Sequence, residues 1–104
     1  MFAMSAYAAL AAPPRRQILD LLREGERSVG DLVARLRMSQ PGVSKHLKVL
    51  REAGLVEVRP RGRERWYGLR PQPLAEVDEW LEPYRAHWSA RLDALERHLE
   101  ENPE

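Results

Sequence analysis

Ser39-Gln40-Pro41-Gly42-Val43-Ser44-Lys45-His46-Leu47-Lys48-Val49-Leu50, SQPGVSKHLKVL (39–50), is the stretch that decides the fold. Its second half has the spacing of an amphipathic helix, yet it opens on Pro-Gly, the pair that most often marks a turn. On a wheel of about 100° per residue, Val43, Leu47 and Leu50 form one buried stripe, Pro41, Lys45, Lys48 and Glu52 fall opposite, and Ser44 lies at the flank. The conflict disappears if the helix starts on these residues. Ser39 is then its N-cap, and Gln40, Pro41 and Gly42 occupy positions whose N–H groups need no intrahelical partner. Gly54 is the expected left-handed terminator, after which Leu55-Val56 changes the period.

Upstream, Pro13-Pro14 opens a second helix that runs to Arg23-Glu24, with Ile18, Leu21 and Leu22 on one face and Gly25 as its stop. Ser28, with Asp31 three residues on, caps a short helix whose Leu32 and Leu36 face a core. The beginning, MFAMSAYAALAAP, is small and apolar, lacks basic residues ahead of its apolar run and is too short to span a bilayer. A packed first helix is expected there rather than a signal peptide, with Met4 as an alternative start. No membrane partner is expected.

Downstream, Leu55–Val58 and Trp66–Leu69 are short runs rich in β-branched and aromatic residues, joined by Arg59-Pro60-Arg61-Gly62-Arg63-Glu64-Arg65. A β-hairpin with four arginines at its tip is the natural reading. The RPQP cluster at 70–73 divides this part from a tail that returns to helix from Leu74 to about Glu101. Val77, Leu81, Tyr84, Trp88, Leu92, Leu95 and Leu99 form a coiled-coil-like seam along it. Pro83 is expected to kink that helix or split it near Glu82.

Two short helices, a tight turn and a basic hairpin make a winged helix-turn-helix, in which the second helix enters the major groove with its N-terminal residues at the base edges. Charge agrees. Residues 37–70 carry nine Lys/Arg against three acids, whereas residues 71–104 carry three Arg against nine acids. A basic middle joined to an acidic tail is the footprint of a segment that meets polyanions beside one that does not. Gly42 adds little bulk near phosphates, and the helix's positive end points toward them. Gln40, Ser44 and Lys45 are the better candidates for base edges, since glutamine can pair with adenine and lysine with guanine. Lys48 and the wing residues Arg59, Arg61, Arg63 and Arg65 suit phosphate or the minor groove. His46 borders the core stripe, and both a packed, hydrogen-bonded position and a DNA contact are open to it.

The runs Ala9–Leu22, Ser28–Leu32 and Ser39–Val56 resemble the ArsR-type winged helix-turn-helix repressors of bacteria. Ser44-x-His46-Leu47-x-x-Leu50-x-x-Ala53-Gly54-Leu55-Val56 is the most specific part. The likeness covers about residues 8–70 strongly and the tail more loosely. It implies a homodimer on palindromic operator DNA, released or held by a ligand, with inducer unknown. The chain departs from metal-sensing members. It has no cysteine, and Arg27-Ser28-Val29-Gly30-Asp31 stands where they place theirs.

The expected fold is therefore mainly α with a small β-hairpin, one domain over 1–104. Residues 28–54 form the helix-turn-helix, 55–69 the wing, and 3–12 and 74–101 the dimerisation helices. Leu10 and the seam from Val77 to Leu99 are the expected interface. Trp80, Tyr84 and Trp88 could instead line a ligand cavity, but helical spacing makes a dimer seam the default. His87 and His98 are about 16 Å apart along one helix, too far to share a metal within a chain, so only a site across the dimer would serve a metal-responsive repressor. Adjacent strand residues point to opposite faces, so one of Trp66 and Tyr67 is expected to support the core rather than stack on single strands. No cofactor and no resident metal are expected. Absence of cysteine favours a reducing cytoplasmic home. No acid–base pair, activated nucleophile or phosphate-cradling loop is present, which argues against an enzyme. A winged module that binds protein instead of DNA is the remaining alternative class.

Overall fold

The computed structural model describes residues 5–101. In chain order they form α1 (Ala6–Leu10), α2 (Pro13–Arg23), β1 (Arg27–Ser28), α3 (Val29–Leu36), α4 (Gln40–Glu52), β2 (Val56–Arg61), β3 (Glu64–Leu69) and α5 (Leu74–Glu101). Residues 3 and 4 of the expected first helix lie outside the described residues. Where that helix is described it is short, with Ser5 Oγ accepting from Ala8 N–H as its cap.

Local signals set the helix ends. Pro13 and Pro14 occupy the first turn of α2, where a missing N–H forfeits no bond. Ser28 Oγ accepts from Asp31 N–H at 3.1 Å to start α3, and Ser39 Oγ accepts from Gly42 N–H at 3.1 Å to start α4. Gly54, at φ +75°, ends α4 as expected. The turn between α3 and α4 passes through Arg37 at φ +55°, a left-handed conformation that no sequence signal announced.

The core gathers Ile18, Leu19 and Leu22 of α2, Leu32 of α3, Val43, Leu47 and Leu50 of α4, and Leu55, Val56 and Tyr67 of the wing base. Ala6 and Ala9 of α1 complete it. The wheel's three-residue stripe on α4 is thus the buried one, each residue fully excluded from solvent.

Three features differ from the sequence reading. First, the sheet has three antiparallel strands in the order β1-β3-β2, because Arg27 and Ser28 pair with Tyr67 and Trp66. Arg27 fixes this short strand by donating to Leu21 O, Asp31 and Glu24. Second, the hairpin turn is tighter than the 59–65 span. Arg61 pairs with Glu64, leaving Gly62-Arg63 as a two-residue turn with Gly62 at φ +61°. Pro60 stands inside β2, which its missing N–H permits because β2 is an edge strand. Third, α5 is one helix that continues through Pro83, so the expected alternative of a split near Glu82 does not occur. The one ladder bond missing there leaves the carbonyl of Glu79 without its partner, and Glu79 is exposed to water, so the helix need not split.

Candidate nucleic-acid interface

Helix α4, the start of α3 and strand β3 gather Lys48, Arg51, Arg63 and Arg65 around one concavity. Ser39, Gln40, Pro41, Ser44, Lys45 and Lys48 are exposed along α4, while Gly42 and His46 are half-buried. A concavity of about 820 Å³ opens between α4, the start of α3 and β3. Gln40, Ser44, Lys48, Arg63 and Arg65 line it together with Arg51. Arg51 escaped the sequence reading, although it stands seven positions after Ser44, two helical turns along the same face.

Gly42 has a role beyond slimness. A β-carbon there would sit 3.1 Å from Ser39 Oγ and 3.5 Å from Met38 Cε, so the missing side chain makes room for the helix's own cap.

Strand alternation divides the wing arginines. Arg59 and Arg61 lie opposite Trp66 and Glu64 on one face of the hairpin, whereas Arg65 lies opposite Pro60 on the face that carries Tyr67 into the core. Arg63 and Arg65 turn to the concavity. Arg61 packs over the Trp66 ring at 4.7 Å, so that ring carries a guanidinium. Tyr67 is the core-supporting member of the aromatic pair.

His46 Nδ1 lies 3.5 Å from an Arg15 guanidinium nitrogen, a long contact. Arginine only donates, so His46 Nδ1 can serve only as the acceptor side of this contact. Burial, then the charges of Arg15 and Lys45, push the His46 pKa below its ordinary value. Arg15 also donates from Nε to Ala9 O at 2.7 Å and from a terminal nitrogen to Ala8 O at 3.1 Å. The link between α1 and α4 was invisible to sequence, because helical spacing does not show which arginine folds back on a preceding helix.

The expected interface residues divide in two. Leu10 and Val77 are half-buried against the chain's own core. Leu81, Tyr84, Trp88, Leu92, Leu95 and Leu99 are exposed, Trp88 at 69% and Leu92 at 62%. Trp80 meets Tyr7 edge-on at 5.9 Å and Tyr84 at 5.0 Å, so these rings fill one another's neighbourhood. Among the described residues no three His, Cys, Asp or Glu side chains gather as a metal-holding group, and no helix is long and apolar enough to cross a membrane.

A reading helix presented beside a basic wing defines a winged helix-turn-helix DNA-binding protein. Comparison with known proteins makes this narrower. Residues 12–58 match the profile of the bacterial regulatory protein arsR family. The HTH-type transcriptional regulator Rv2034 of Mycobacterium tuberculosis is 49% identical over 84% of this chain and 78% of its own length. The transcriptional repressor SdpR of Bacillus subtilis is 32% identical over 72% of this chain and 83% of its own. A solved structure described as a "possible transcriptional regulator for arsenical resistance" superposes with a TM-score of 0.73 at 37% identity, over 90% of this chain and 96% of that one. The chain belongs to the ArsR family and is a DNA-binding transcriptional regulator, not an enzyme.

Proposed function

We propose that two copies of this chain bind one palindromic operator as a homodimeric repressor in the bacterial cytoplasm. One observation carries the dimer. Six large apolar side chains, Leu81 to Leu99, stand exposed along α5 at heptad-like spacing, a surface that a second copy of the helix would cover. Isologous pairing through α5 and α1 would set the two reading helices about 34 Å apart, one duplex turn.

Within each half-site, Gln40, Ser44 and Lys45 read base edges, and Ser39, Pro41 and Gly42 bring the first turn of α4 against the backbone. Lys48, Arg63 and Arg65 meet phosphate, joined by Arg51. His46 supports α4 through Arg15 more than it reads sequence.

Selection of bound genomic fragments by the purified chain tests the reading. Recovery of a single palindrome beside its own gene is the expected result, and a featureless pool would overturn it. Leu92→Asp should yield monomers by light scattering, with operator affinity reduced at least tenfold. A dimer surviving that change would move the interface elsewhere.

A further inference from the structure

Glu26 lies in the loop between α2 and β1 with its side chain only 27% exposed. Its two oxygens engage different wing arginines. Oε1 accepts from Arg61 at 2.5 Å, and Oε2 lies 3.5 Å from Arg59. Arg59 also meets Glu57 at 2.9 Å, and Arg61 is backed by the Trp66 ring at 4.7 Å. The seat for Glu26 is made by Gly68, where a β-carbon would lie 3.2 Å from Oε2 and 3.3 Å from Cγ. Strand register explains why these groups meet, since Glu57, Arg59 and Arg61 share a face with Gly68, Trp66 and Glu64. None of Glu26, Arg59, Arg61 and Trp66 lines the concavity beside α4.

An isolated exposed ion pair contributes little. Here one partly buried carboxylate is met by two guanidiniums, one of them backed by an indole, and a phosphate must compete with that carboxylate for either. Affinity for arbitrary duplex follows the number of phosphates neutralised, so each arginine retained by the protein lowers it. We propose that Glu26 is a positioning residue that withholds Arg59 and Arg61 from the DNA backbone, leaving the wing's phosphate contacts to Arg63 and Arg65 and lowering affinity for arbitrary duplex. This rests on the reading of α4 and the wing as the DNA face.

The test is fluorescence anisotropy with a labelled random-sequence duplex across a salt series. It compares the full chain with Glu26→Gln, with Arg59→Ala/Arg61→Ala, and with the triple variant. Glu26→Gln should bind about three- to tenfold more tightly at low salt, with a log–log salt slope steeper by about one to two. The triple variant should bind no more tightly than the Arg59→Ala/Arg61→Ala pair. An unchanged affinity and slope in Glu26→Gln overturns the proposal. So does an equal gain on adding Glu26→Gln to the arginine pair, which would mark a general loss of negative charge. Should Glu26→Gln fail to fold, Glu26→Asp keeps the charge but withdraws it from the Gly68 seat, and it must move affinity in the same direction. Wild-type protein that binds no duplex at low salt overturns the DNA-face reading as well, whereas wild-type binding with an inert Glu26 overturns this proposal alone.

Discussion

Arg15 joins α1 to α4, because one guanidinium holds the carbonyls of Ala8 and Ala9 and also approaches His46 Nδ1 at 3.5 Å. His46 Nδ1 can accept there only while it carries no proton. A second proton would place an imidazolium against the Arg15 guanidinium, with Lys45 adjacent in sequence.

The pH dependence has a definite sign. The folded state lowers the His46 pKa, so its contribution to stability is complete above the ordinary histidine value of about 6.5 and is lost as pH falls through the lower folded value. Urea midpoints measured from pH 7.5 down to 5.0 should fall more steeply for wild type than for His46→Gln. Parallel curves would remove His46 from the account.

Serine caps make a second prediction. Ser39→Ala should cost about 1 kcal/mol through loss of the α4 cap. Ser28→Ala should cost more, about 1–2 kcal/mol, since Ser28 is 9% exposed and the Asp31 N–H it satisfies is part-buried. Denaturation at pH 7 ranks the two, and equal losses would deny the burial argument.

Arg37 supplies a third. Its φ of +55° is disfavoured for any residue with a β-carbon, and its side chain is exposed. Arg37→Gly should therefore raise stability by about 1 kcal/mol, a gain of about 4–8 °C in Tm for a domain of this size. A lower Tm would mean that the unfolded chain's added freedom outweighs the relieved strain.

The proposed base contacts and the proposed phosphate contacts predict different mutant behaviour. Lys45→Ala should change which bases a randomised-site selection prefers. Arg63→Ala with Arg65→Ala should weaken binding to all sequences and reduce the salt slope by about 0.9 for each phosphate that is no longer neutralised. An unaltered slope would leave the wing tip in solvent.

The helix starts were legible because their signals are local. Pro13-Pro14, Ser28 with Asp31, Ser39 before Pro41-Gly42, and Gly54 each act within one turn of the residue that carries them. What escaped depends on partners distant in sequence. The pairing of Arg27 and Ser28 with β3 joins segments about forty residues apart, and two residues carry no periodicity to detect. The division of the four arginines needed the hairpin register, which in turn hung on Gly62-Arg63 being the turn and on Pro60 being tolerated at an edge. For the candidate site, residue types and their helix face were readable at Gln40, Ser44, Lys45 and Lys48. The ion pairs that separate Arg59 and Arg61 from Arg63 and Arg65 were not, because Glu26 reaches them through the notch at Gly68.

Ser28 belongs to two structures at once, pairing with Trp66 in the sheet and capping α3 with its hydroxyl. A tilt of the hairpin against the helix pair would therefore also pull on the first turn of α3. With Leu55, Val56 and Tyr67 of the wing base in the same core as α2, α3 and α4, the wing and the helices should meet a duplex as a single tool rather than as two fingers closing in turn.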